Sequence, residues 1–141
     1  IGGGSTELVL GSTSVKQAIS IDMGAVRVTE KFFTHVDPAG GVPAADQERA
    51  IAWIDEQLDI AEKSVDLARV RSLVGVAGTV TTLGFMPEGR EDVIAAGALI
   101  WSRIVTRVLE RARAAGHPID EVITSEHDIL DGIAMSMIDQ A

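Results

Sequence analysis

The sequence contains no cysteine. That excludes a disulfide framework and every cysteine-ligated metal or cluster site, and it fits a reducing compartment. No apolar run approaches ~18 residues, so no membrane span is expected. Cations are scarce: 12 Lys and Arg stand against 21 Asp and Glu, a formal charge of −9. A broad nucleic-acid-binding face needs a basic patch, which this balance argues against. A small phosphorylated ligand stays open, because backbone N–H groups and a metal hold phosphate without net positive charge. Neither G-x-x-x-x-G-K-S/T nor G-x-G-x-x-G occurs. The P-loop and the dinucleotide fingerprint are therefore absent.

What is present suits one globular domain. The chain has 141 residues, 46% hydrophobic and 23% charged, a composition that buries a core and is not that of a disordered tail. It opens on Ile1 and runs straight into Gly2-Gly3-Gly4. No signal peptide is read ahead of this loop, and a fold that starts on glycines predicts a first strand upstream. The expectation is a fragment.

Two β-rich runs, Thr6 to Leu10 and Val15 to Asp22, flank a Gly/Ser turn and predict a hairpin. Val26 to Phe33 predicts a short helix, and His35 to Pro43 a loop. The apolar spacing from Ala44 to about Ala68 predicts an amphipathic helix, with Asp55, Glu56, Asp59 and Glu62 as its solvated face. Val70 to Ala77 reads as a buried strand. Arg90 to Ala115 reads as a long helix stopped by Gly116-His117-Pro118. A strand at Glu121 to Thr124 and a final helix capped by Ser125 complete the order β-β-α-α-β-α-β-α. The class is α/β.

Two segments could carry chemistry. In Gly2-Gly3-Gly4-Ser5-Thr6-Glu7 three glycines bare the backbone, so an anion can approach its N–H groups closely. Ser5 and Thr6 add hydroxyl donors, and Glu7 offers a hard oxygen suited to Mg2+. A tight turn between strands would use the same glycines. In Gly75 to Thr82 a strand runs into Gly78-Thr79 and a hydroxyl-rich helix start. Phosphate would suit its free N–H groups, and simple capping by Thr79 would suit them too. Both readings stand at both loops.

Taken together the motifs narrow the choice. I-G-G-G-S-T-E-L, S-I-D-M-G-A-V-R-V-T-E (Ser20 to Glu30), G-V-A-G-T-V-T-T-L (Gly75 to Leu83), G-R-E-D-V-I-A-A-G-A (Gly89 to Ala98) and S-E-H-D-I-L-D-G-I (Ser125 to Ile133) occur in that order. The series resembles the exopolyphosphatase/guanosine pentaphosphate phosphatase family in its actinobacterial form, over most of the chain.

The resemblance implies a ribonuclease H-like, actin-type domain: a mixed central sheet with helices on both faces. Residues 1–141 would form the second of two such domains, the first being absent from this chain along with the catalytic general base. The implied activity of the full-length protein is Mg2+-dependent release of terminal phosphate from inorganic polyphosphate or guanosine pentaphosphate. This half alone is expected to be inactive, to work with its own N-terminal domain in the cytoplasm, and to allow a homodimer. Phosphate would be held at Gly2, Gly3, Gly4, Ser5, Thr6, Gly78 and Thr79, and Mg2+ at Glu7. The aspartate that the family carries just before I-G-G-G-S-T-E is missing. So is a helical segment between Leu83 and Gly84: either a loop is deleted there or residues are absent from the sequence as it stands. The second is favoured, because cutting a helix from a packed domain would expose apolar surface.

Other residues are weaker candidates. Arg27 and Arg90 lie beside motif glycines and could meet a polyanion. His35, His117 and His127 form no metal-ligand pattern, and Trp53 and Trp101 fall on apolar helix faces and read as core. A phosphate-ligand sensor without catalysis, or a sugar or acetate kinase of the same fold, are the competing functions.

Overall fold

A computed structural model describes residues 1–34, 41–75 and 91–123 of the chain. The predicted hairpin is present: β1 (Thr6–Gly11) pairs antiparallel with β2 (Val15–Ile21). Its register sets Thr6 opposite Ile21, Glu7 opposite Ser20 and Leu8 opposite Ile19. Because side chains alternate along a strand, Thr6, Leu8 and Leu10 turn toward the core while Glu7 and Val9 turn out. That parity fixes Glu7 on the solvent side.

Helix α1 (Ala25–Phe32) follows, burying Ala25, Val28 and Thr29 on one face. The Thr29 hydroxyl donates to the Ala25 carbonyl at 2.8 Å, so its burial leaves no orphaned polar atom. Helix α2 (Ala44–Ala61) buries Ala50, Ile54, Leu58 and Ala61, a stripe at helical spacing. The helix ends seven residues before the expected Ala68. Asp66 is the reason: its carboxylate accepts from the Ala68 N–H at 3.1 Å and caps a separate 3-10 turn, Leu67–Arg69. A local side-chain acceptor outcompetes helical continuation there.

Helix α3 (Glu91–Ala115) is the long helix the spacing predicts. Gly116 at φ 78° ends it, with the His117 N–H returning to the Ala112 carbonyl at 3.1 Å. Strand β3 (Ser72–Val74) then pairs in parallel with β4 (Glu121–Ile123). The expected single mixed sheet is met in part: among the described residues the strands form two separate pairs, one antiparallel and one parallel. Residues 76–90 and 124–141, which hold the rest of the predicted β3 run and the final helix, lie outside the described residues.

The core lies where the three helices meet the inner face of the hairpin. Met23, Val28, Ile54, Leu58, Val93 and Ile100 are fully enclosed there, each contributing about 1.5–3 kcal/mol by leaving water. The tryptophans sit at its rim, half-buried. Trp53 packs on Phe32 with ring centroids 5.6 Å apart and Lys31 above it, and Trp101 lies against Gly75.

The expected solvated face of Asp55, Glu56, Asp59 and Glu62 is met in part: Glu56 and Asp59 are exposed, while Asp55 and Glu62, the residue just past α2, are partly covered. Asp55, Asp59 and Glu62 fall on the stripe that meets Arg103, Arg107 and Arg111 of α3. Arg103 grips Asp55 in a fork at 2.9 and 3.0 Å, and Arg111 grips Glu62 at 2.7 and 2.8 Å. Between them Arg107 reaches Asp59 at 2.7 Å, Glu62 at 3.0 Å and the Asp55 carbonyl at 3.2 Å. The hydrogen bond from Arg111 holds the Glu62 carboxyl below its ordinary value, against burial that acts the other way.

The folded state therefore gains from Glu62 only while it is ionised. Its stabilisation is complete above the ordinary value of 4.5 and is lost as pH falls through the lowered folded value. Denaturant midpoints should drop as pH is taken from 6 to 3, and Glu62→Gln should flatten that dependence. An unchanged slope in the variant would remove Glu62 as its source.

Candidate functional site

The glycine loop is built by its contacts with α1. The Gly2 N–H donates to the Ser5 carbonyl at 2.8 Å, closing a tight turn. The Gly2 carbonyl accepts from the Ala25 N–H at 2.9 Å, and the Gly3 carbonyl from Val26 and Arg27 at 2.9 and 3.1 Å. These first-turn amides have no side-chain cap, since Gly24 holds the N-cap position. The loop carbonyls cap them instead. The amides of Gly3, Gly4 and Ser5 make no hydrogen bond among the described residues.

The two hydroxyls of the motif part company. Thr6 is 1% exposed and donates inward to the Met23 carbonyl, tying β1 to the start of α1. Its hydroxyl belongs to the fold and is not displayed with the loop amides. Ser5 stays at the surface and donates to Glu7 Oε1 at 2.9 Å. That bond holds the carboxylate beside the loop and leaves its remaining lone pairs outward.

Among the described residues no group of three His, Asp or Glu converges on one point. Glu7 therefore offers a single carboxylate, with no preformed cage. Mg2+ suits that donor set, because it keeps most of its waters and is held by one or two carboxylates together with substrate phosphate. Arg27 leaves the first turn of α1 and pairs with Asp22 at 2.9 Å, both side chains exposed at 48% and 75%. A pair so solvated contributes little stability, and it is the backbone N–H of Arg27 that meets the loop, at the Gly3 carbonyl. Gly78, Thr79 and Arg90 lie outside the described residues, as do His35 and His127. His117 bonds the Ala68 carbonyl and is a tie between segments.

Two residues that the motif reading left without a role stand out at this loop: Asp22, the partner of Arg27, and Gly24, which touches Gly3. Gly24 carried a legible signal, a glycine ahead of a helix that has no capping side chain. A cavity of about 280 Å3 between α1, α2 and α3 is lined by Phe33, Gln47, Ala95, Ala98, Leu99 and Ser102. None of these is charged, and none belongs to the glycine loop. No described helix is long and apolar enough to cross a membrane.

The likeness to known proteins falls on these same elements. A family model described as the Ppx/GppA phosphatase family matches residues 1–86, from the glycine loop past β3. Exopolyphosphatase 2 of Mycobacterium tuberculosis is 32% identical over 180 aligned positions, covering 97% of this chain and 54% of that protein. A bifunctional 3-dehydroquinate synthase/phosphatase of Fusobacterium nucleatum is 40% identical over 84 residues, 58% of this chain and 12% of its own length. The crystal structure of an exopolyphosphatase-like protein superposes with a TM-score of 0.75 at 33% identity, covering 96% of this chain and 56% of the other. The chain thus spans about half the length of the exopolyphosphatase relatives it matches. With more than half of its residues matched by the family model, the chain belongs to the Ppx/GppA phosphatase family.

Proposed function

We propose that this chain is the second of two actin-like, ribonuclease H-type domains in a phosphohydrolase. That enzyme would release terminal phosphate from inorganic polyphosphate or guanosine pentaphosphate. The observation that carries the reading is the glycine loop: unengaged amides at Gly3, Gly4 and Ser5 beside an exposed carboxylate at Glu7. The amides would hold phosphoryl oxygens, with Gly78 and Thr79 closing on them from the second loop. Mg2+ held through Glu7 would supply charge neutralisation on the phosphoryl group. Water attacks the terminal phosphorus, the bridging P–O bond breaks, and the water's proton passes to a base carried by the other domain. Positioning and electrostatics are most of what such a transfer needs.

A segment missing at Leu83–Gly84 belongs to the same reading. The Mycobacterium tuberculosis alignment needs 180 positions, more than the 141 residues of this chain, which supports a stretch in the relative without a counterpart here.

Phosphate release by the full-length protein, assayed in parallel on the two substrates with and without a Mg2+ chelator, tests the function. Release that stops on chelation is expected. Tight binding of both substrates with no release from either would instead make the protein a sensor. Equal rates on the two would exclude a preference.

A further inference from the structure

We infer that Gly24 is a positioning residue of the glycine loop, and that α1 aims the loop amides through the loop's own carbonyls. This rests on reading that loop as the phosphate site. A peptide unit is planar and trans, so its C=O and its N–H point to opposite sides. The carbonyl of Gly2 is turned onto Ala25, and that of Gly3 onto Val26 and Arg27. The N–H groups sharing those two peptide units belong to Gly3 and Gly4. Both therefore point away from α1, side by side, the arrangement in which successive amides cradle an anion. Their carbonyls accept from the positive end of the helix, and chained hydrogen bonds polarise one another. The helix strengthens the donors without facing the anion itself.

Only glycine at position 24 allows this approach. Its backbone, at φ −107° and ψ 169°, is extended and open to any residue, so conformation does not demand glycine. Contact does. A Cβ there would stand 2.2 Å from the Gly3 oxygen, 2.3 Å from the Gly3 carbonyl carbon and 2.5 Å from the Gly4 nitrogen. Those are backbone atoms, so no rotamer change relieves the clash and the loop must move off the helix. Among the described residues a Cβ at Gly4 meets nothing within 4 Å, which leaves the outer side of the loop open to a ligand on their side.

The test follows the amides directly. Tripolyphosphate is titrated into 15N-labelled full-length protein while the Gly3 and Gly4 resonances are monitored. Wild type should show both amides shifting with saturation. Gly24→Ala should lose those shifts and bind tripolyphosphate about tenfold or more weakly, with cooperative unfolding preserved. Ala25→Pro provides a second route in case the alanine variant does not fold. It deletes the donor to Gly2 at a first-turn position that tolerates proline, behind a residue already extended. It should produce the same loss. Saturable shifts and affinity within twofold of wild type in both variants would overturn the role of Gly24 while leaving the loop as the phosphate site. Silent Gly3 and Gly4 amides in folded wild type would overturn the reading of the loop itself, and the inference with it.

Discussion

Replacing Glu7 with Gln in the full-length protein should lower Mg2+-dependent phosphate release by about 100-fold or more, with the fold unchanged. The side chain lies on the outward face of β1, opposite Ser20, so the substitution disturbs no core contact. The amide oxygen of glutamine can still accept from Ser5, which keeps the loop edge in place. What disappears is the negative charge, and with it the only loop carboxylate among the described residues suited to a hard cation. Turnover as a function of Mg2+ concentration, together with circular dichroism, separates the two consequences. Near-normal turnover at low Mg2+ would take Glu7 out of the site.

Arg107→Met should destabilise the domain by about 2–3 kcal/mol, the largest stability effect expected of any ion-paired residue here. The arginine side chain is only 10% exposed, and one guanidinium serves Asp59, Glu62 and the Asp55 carbonyl. The loss falls short of a fully buried pair for two reasons. Asp59 is 66% exposed and can return to water, while Glu62 keeps Arg111. Urea unfolding of the variant measures the change, and exposed Arg113→Ala on the same helix should stay within about 0.5 kcal/mol of wild type. Pairing Arg107→Met with Glu62→Gln should cost less than the sum of the two, because they share one interaction. A fully additive result would mean that the contact contributes nothing.

Much of this architecture was legible in the residues. The hairpin was, because two short β-rich runs around a Gly/Ser turn leave few alternatives from Thr6 to Ile21. So was α3, whose start and Gly116-Pro118 stop fall within a residue of the expected positions. The premature end of α2 was not, because it depends on Asp66 capping a turn, a local competition that helical periodicity does not report. The ion pairing along the acidic stripe is hidden from the sequence for a related reason. Asp55, Asp59 and Glu62 look solvated until α3 presents arginines at the matching spacing 48 residues away, and only the packing of two helices shows that. At the candidate site, residue types pointed to the loop and to Glu7. The inward turn of Thr6 could also be worked out, from its strand parity relative to Leu8. The docking of Gly3 onto Gly24 is a contact between distant backbones and leaves no compositional trace beyond the glycine itself.

The helix-to-helix ladder also decides how an anion meets this surface. Arg103, Arg107 and Arg111 are committed to carboxylates of the α2 side, so they offer an incoming phosphate no short-range contact, and the net charge of the chain with these arginines included is −9. The long-range field of this chain repels a polyanion, and attraction begins only within reach of the loop amides and Arg27. Raising ionic strength shortens the screening length from about 30 Å at 0.01 M to about 8 Å at 0.15 M. Salt would thus shield the repulsion more than the short-range grip. Encounter of a polyanion with this chain is therefore eased by moderate salt, the reverse of steering into a basic groove.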